Sequence, residues 1–280
     1  MLKIQSEIWR PKLRAAASEV IEMSVASING AEIYYEIHGE GPVLVLAHGG
    51  GSNHLTWWKQ VYDLKDDYRV VTFDHRGFGE STNGGGSPAM FADDLAALLD
   101  HLEIPKAALL GQSMGGYTVA GFASKHPERV SALILTSGAA GLLPAPEGGH
   151  SRNAANRAGA APDYQSFLAT DREADGFAVR DARDYFLFYM IGSLNHRVDP
   201  RWMLEVIDIE TDAKAIADAR IPCLMIAGEE DSTNLAIMRE VAKLIPDTVV
   251  ESIAEAGHHV MFEKAETANA IVKDFLARHL

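Results

Sequence analysis

Apolar residues in this chain fall into short continuous runs that alternate with amphipathic stretches. Val43-Leu44-Val45-Leu46-Ala47, Arg69-Val70-Val71-Thr72-Phe73, Ala107–Leu110, Ala132-Leu133-Ile134-Leu135-Thr136, Cys223–Ala227 and Thr248–Ile253 are too short for helices. Such runs suit strands buried on both faces of a parallel sheet. Between them, Phe91–Leu102, Gly116–His126, Leu235–Leu244 and Ala265–Leu280 carry helical patterns. Strands alternating with helices predict an α/β fold: a mostly parallel central sheet with helices on both faces. Ahead of this series, Met23–Ile28 and Glu32–His38 read as strands, and the Asn29-Gly30 dipeptide between them signals a hairpin.

The alternation stops between about residues 138 and 218. That stretch opens on Gly138-Ala139-Ala140-Gly141-Leu142-Leu143-Pro144-Ala145-Pro146 and continues with helix-like segments bearing Tyr164, Phe167, Phe177, Tyr185, Phe186, Phe188, Tyr189, Met190 and Trp202. It reads as a helical cap, with those aromatics mostly in its core and some lining a pocket, inserted between two strands of the main body. The expected organisation is therefore an extension over residues 1–22, a core over 23–137 and 219–280, and a cap over 138–218. Ile4, Ile8 and Trp9 could form one face of a short helix in the extension, which leaves docking, contact with a second copy or disorder open.

Composition narrows the partners. The chain has 280 residues and a formal net charge of −14. Nucleic acid and anionic membrane surfaces are poor partners for it, because binding them relies on clustered Lys and Arg. No run approaches the roughly 18 apolar residues of a membrane span. The N-terminal stretch lacks the apolar segment of a secretory signal, so a cytoplasmic location is expected. The single cysteine, Cys223, lies in an apolar run and reads as a buried structural thiol; no disulfide or cysteine-based metal site follows from it. No His pair has metal-ligand spacing, and Gly77-Phe78-Gly79 lacks the third glycine of a dinucleotide fingerprint. No cofactor is expected.

Candidate chemistry sits where strands end. Gly111-Gln112-Ser113-Met114-Gly115-Gly116 has the form G-x-S-x-G between a predicted strand and a predicted helix. A serine on so tight a turn takes a strained backbone, which requires very small residues on both flanks. The free N–H groups of the next helix then favour developing negative charge. A nucleophilic serine also needs a base and an acid to orient it. Asp231 follows one strand in Gly228-Glu229-Glu230-Asp231, and His258 follows another in Ala256-Gly257-His258-His259. His48-Gly49-Gly50-Gly51 and Asp74-His75-Arg76-Gly77-Phe78-Gly79-Glu80-Ser81 also open at strand ends. Small residues after His48 would let backbone N–H groups approach an oxyanion.

These motifs, with Trp57–Gln60, occur in an order that resembles the α/β-hydrolase superfamily, in its branch with a helical cap, over roughly residues 23–280. The resemblance implies that Ser113 is the nucleophile, His258 the general base and Asp231 the acid that holds the imidazole. It implies an oxyanion hole from the backbone N–H groups of Gly50 and Met114. His259 is the rival base, and Glu229 and Glu230 are rival acids. The loop after the strand following the serine, Ser137-Gly138-Ala139, offers no carboxylate. His48 is expected to brace its own loop, and Asp74 and Arg76 to tie loops together.

The activity implied is hydrolysis of a carboxylic ester or lactone with a largely apolar small-molecule substrate. Carbon–carbon hydrolases of the meta-cleavage type use the same triad, and His48-Gly49-Gly50-Gly51 resembles theirs. Ser52-Asn53 and Gln112 depart from their usual Pro-Gly and Asn. A cofactor-free haloperoxidase or perhydrolase, or a ligand-binding receptor on the same fold, are further alternatives, although the long cap departs from the haloperoxidase pattern.

Overall fold

The computed structural model of the chain describes residues 22–143, 176–195, 198–199, 201–207 and 209–280. Residues 1–21 of the N-terminal extension, Tyr164, Phe167 and Pro144–Pro146 lie outside the described residues, whereas Glu22 opens the first strand. Eight strands form one sheet: β1 (Glu22–Ile28), β2 (Ala31–His38), β3 (Val43–Ala47), β4 (Arg69–Phe73), β5 (Ala107–Gln112), β6 (Val130–Thr136), β7 (Cys223–Gly228) and β8 (Val249–Ile253). Their spatial order is β1-β2-β4-β3-β5-β6-β7-β8. β2 pairs antiparallel with β1 and β4, and every pairing from β4 through β8 is parallel.

Each strand sends successive residues to opposite faces. Val45, Leu109, Leu133 and Met225 therefore join one core, and Leu44, Leu110, Ile134 and Leu224 the other. The first core is closed by Leu95 and Leu98 of α2 (Phe91–His101), Val119 and Phe122 of α3 (Met114–Lys125), and, further along the chain, by Leu235 and Met238. The second receives Leu64 from α1 (Trp58–Leu64), Trp57 just before it, and Val272 and Phe275 near the C-terminus. Burial on both faces explains why the strands read as unbroken apolar runs.

Four helices lie between β6 and β7 among the described residues: α4 (Phe177–Arg180), α5 (Ala182–Ser193), α6 (Trp202–Ile207) and α7 (Ala213–Asp218). After β7 come α8 (Ser232–Ala242), which carries Leu235 and Met238, then α9 (Val260–Glu263) and α10 (Ala265–Ala277), which carries Val272 and Phe275. The aromatics between β6 and β7, expected mostly in a core with some lining a pocket, divide between core and surface. Phe177 and Phe188 pack with Phe262 and Ile191, and Trp202 packs with Phe78 and Phe91. Phe186, Tyr189 and Met190 are exposed instead, because α5 has only one buried face. α1 was not legible: its buried Gln60 faces α9 and α10, donating to Met261 O at 2.7 Å and Asn269 Oδ1 at 3.0 Å.

Asp74 and Arg76 tie loops together, as expected. Asp74 accepts the His54 N–H at 2.7 Å, the His54 ring and the Glu80 N–H at 2.9 Å. The fully buried Arg76 guanidinium meets Asp94 of α2 at 2.6 Å through two nitrogens and also donates to Asn83 O and Asn29 O. Asn29 (φ 48°) and Gly30 (φ 79°) form the predicted turn, so one side chain clamps that hairpin, the loop after β4 and α2. Removing one partner of such a pair strands a buried charge. Asp94→Ala is expected to lower stability by about 3–5 kcal/mol in urea denaturation; an unchanged midpoint would remove this clamp from the forces holding the sheet edge.

Candidate active site

β5 ends at Gln112, α3 begins at Met114, and Ser113 makes the turn between them at φ 49°, ψ −110°. The left-handed backbone is costly for a residue with a side chain and persists only where its surroundings enforce it. Here they do. A Cβ on Gly111 would stand 2.4 Å from Gly115 O, and one on Gly115 would stand 2.0 Å from Ala47 O. Strand, helix and the neighbouring β3 thus converge too closely for any other residue at either flank. Ser113 N–H donates to Thr136 O at 2.9 Å, which fastens the turn to β6.

The turn presents Ser113 Oγ 3.0 Å from His258 Nε2. His258, in the loop after β8, places Nδ1 2.9 Å from Asp231 Oδ2. An ionised carboxylate only accepts, so Nδ1 carries the proton and Nε2 turns its lone pair to the serine hydroxyl. Asp231 immediately precedes α8 without capping it through its side chain. The carboxylate is turned to His258 and is held by Asn234, whose Nδ2 donates to Oδ1 at 2.9 Å and Oδ2 at 3.0 Å. Asn234 was missed in the sequence because the periodic pattern begins only at Leu235, whereas α8 starts at Ser232.

The rivals fall elsewhere. His259 is buried against Phe188, with ring centroids 4.2 Å apart, and against Phe177. Glu229 and Glu230 are exposed, and Glu230 pairs with Arg180 of α4 at 2.9 Å. His48 is fully buried and braces its loop as expected: Nδ1 donates to Gly49 O at 2.8 Å, and Nε2 accepts the His75 N–H at 3.1 Å. The His75 ring continues to Thr118 Oγ1 of α3 at 2.8 Å. Burial pushes the His48 pKa down to about 4 and that of His75 well below its ordinary value. Gly49 lies beside the serine, since a Cβ there would be 3.7 Å from Ser113 Cβ. Gly50 is the next residue along, and Met114 opens α3, where N–H groups lack intrahelical partners.

Cys223 is buried with its thiol pushed up to about 12, an inert structural group. Among the described residues, no cluster of three or more His, Cys, Asp or Glu could hold a metal ion, and no helix is long and apolar enough to cross a membrane.

Comparison with known proteins agrees with this architecture. The family of the alpha/beta hydrolase fold matches residues 42–265. A 3-oxoadipate enol-lactonase of Acinetobacter baylyi is 30% identical, over 85% of this chain and 89% of its own length. The 2-hydroxy-6-oxononadienedioate/2-hydroxy-6-oxononatrienedioate hydrolase of Escherichia coli K12 is 28% identical, over 96% of this chain and 99% of its own. Among solved structures, a thermophilic esterase from Thermogutta terrifontis superposes with a TM-score of 0.80 at 26% identity, covering 92% of this chain and 100% of the esterase. The chain belongs to the α/β hydrolase fold family, a family of hydrolases of which it has the mostly parallel eight-stranded sheet.

The buried His48 makes stability depend on pH in a definite direction. Its folded pKa is about 4, against about 6.5 when unfolded. The unfolded chain therefore takes up the proton first as pH falls, so the contribution is complete above about 6.5 and is lost toward 4, for a total of about 3 kcal/mol. Wild-type denaturation midpoints should fall between pH 7 and 4.5, and His48→Gln should flatten that slope; equal slopes in the two proteins would contradict the assignment.

Proposed function

We propose that this chain is a serine hydrolase of carboxylic esters or lactones that works through an acyl-enzyme on Ser113. The observation that carries this reading is the continuous line from Ser113 Oγ to His258 Nε2 at 3.0 Å and from His258 Nδ1 to Asp231 Oδ2 at 2.9 Å. Ser113 attacks the carbonyl carbon while its proton passes to His258 Nε2. Asp231 stabilises the imidazolium and keeps its ring in place. The carbonyl oxygen becomes an oxyanion facing the backbone N–H groups of Met114 and Gly50, and loss of one such donor typically costs about 3–4 kcal/mol in the transition state. The C–O bond then breaks and His258 gives its proton to the departing alcohol. In the second half, water attacks the acyl carbon while His258 takes its proton, and His258 returns that proton to Ser113 Oγ as the C–O bond breaks and the acid leaves.

Residues 138–218 act as the cap over a core made of 23–137 and 219–280, and the substrate is a small, largely apolar molecule. The names of the Acinetobacter lactonase and the Thermogutta esterase favour ester or lactone chemistry. A second reading, carbon–carbon bond hydrolysis with the same three residues, is favoured by the nearly full-length match to the Escherichia coli hydrolase.

With p-nitrophenyl butyrate, stopped flow should record a burst of p-nitrophenol followed by steady turnover, and Ser113→Ala should abolish both while retaining the wild-type circular dichroism. Undiminished turnover in that variant would sink the nucleophile assignment. Asp231→Asn should lower kcat by about 10⁴-fold, since it leaves the imidazole in the wrong tautomer; a small effect would shift the acid role to another group.

A further inference from the structure

Arg180 lies in α4, outside the three residues assigned above, yet it reaches both of the loops that carry the acid and the base. Its Nη1 donates to Glu230 Oε2 at 2.9 Å, and Glu230 directly precedes Asp231. Its Nε donates to Glu263 Oε2 at 2.8 Å. The other oxygen of Glu263 accepts the Gly257 N–H at 3.0 Å, and Gly257 directly precedes His258. One guanidinium thus meets the loop after β7 directly and the loop after β8 through Glu263 of α9.

The two links differ in strength. The Glu230 side chain is 53% exposed, so its pair with Arg180 is screened by water, whereas the Glu263 side chain is 3% exposed and holds its charge in a poorly solvated place. The connection to the histidine loop is therefore the stronger. A lysine could not reproduce it, because the span depends on two nitrogens of a rigid fork.

The chain is built around this reach. Gly176, just before α4, has φ 70°, and a Cβ there would stand 3.0 Å from Arg180 Nη1. Phe177 seats α4 against Phe262, next to Glu263, with ring centroids 6.2 Å apart. Lys59 of α1 adds a parallel tie: it pairs with Asp184 of α5, donates to Phe262 O at 2.9 Å and lies 4.5 Å over the Phe262 ring.

We propose that Arg180 is a positioning residue: through Glu263 and Glu230 it sets His258 and Asp231 in register with Ser113, so that seating of α4 and competence of the triad are one event. This rests on the assignment of Ser113 as nucleophile. It acts on the approach of His258 to the serine, a distance on which reaction rates depend steeply.

The test uses a fluorophosphonate, which needs no knowledge of the natural substrate. Ser113 Oγ forms a bond to phosphorus, the P–F bond breaks, fluoride leaves, and the hydroxyl proton passes to His258. Arg180→Met should be labelled about 10- to 100-fold more slowly than wild type, Arg180→Lys at an intermediate rate, and Arg180→Ala should regain rate on addition of millimolar guanidinium but not of sodium at equal ionic strength. That rescue, in a variant whose denaturation midpoint the added guanidinium leaves unchanged, would not follow from a purely structural role. Labelling of Arg180→Met at the wild-type rate overturns the proposal; if that variant does not fold, wild-type labelling of Arg180→Lys overturns it equally. Ser113→Ala, run alongside, separates the two ideas: undiminished labelling there would refute the nucleophile itself, whereas loss of labelling there with unaffected Arg180 variants would refute the positioning role alone.

Discussion

The backbones of β3, β5 and α3 meet at the turn from β5 to α3, where Gly115 lies against Ala47 O of β3 and against Gly111. Much of the site's geometry follows from that contact. Because β3, β5 and α3 meet without room for a single Cβ at two positions, Ser113 is driven to φ 49° and held above the carboxyl end of the sheet. The same convergence brings the His48–Gly51 loop, at the end of β3, beside the serine. The neighbouring strand β6 contributes Thr136 O as the acceptor that pins the turn. The strain is sustained by the sheet, whose two cores bury nearly every residue of β3, β5 and β6.

Around this rigid centre the remaining groups arrive on loops, and each loop is tied by polar bonds. Buried histidines hold the first: His48 and His75 are kept neutral by burial, so each ring nitrogen can serve as a single donor or acceptor in a chain that ends on α3. The helices between β6 and β7 are fastened in the same manner. Asn53 Nδ2 donates to Ile191 O at 3.0 Å, and the buried Asn195 donates to Ser52 O at 3.0 Å while accepting the Gly79 N–H at 2.8 Å. Each such bond contributes only about 1 kcal/mol net. Their value is directional, since apolar contact between Phe177, Phe188 and Phe262 alone would leave α4 and α5 free to slide.

The placing of the Asp231 carboxylate is informative. Helix-preceding aspartates commonly accept the helix's own N–H groups. Asp231 does not, and Asn234 from the first turn holds it instead, which leaves one oxygen aimed at His258. A carboxylate capping its own helix would have been turned away from the imidazole.

Every strand and the helices α2, α3, α8 and α10 were legible in the sequence, because burial on both faces of the sheet leaves apolar runs in the parallel strands and burial of one helix face leaves a period in the residue order. The elbow at Gly111–Gly115 and the hairpin at Asn29-Gly30 were legible too, since steric demands on one to five residues are written locally, whereas the grouping of Ser113 with Asp231 and His258 was implied by the resemblance. What the sequence could not specify were partners brought together across the fold. Arg180 meets Glu263 across 83 positions and Gln60 meets Met261 across 201, and nothing in local pattern marks either. Nor could it separate Phe188, which is buried, from Phe186, which is not, or say that His48 would lose its charge. Those outcomes depend on the neighbours and the solvent exposure that the assembled sheet imposes, and only the tertiary structure decides them.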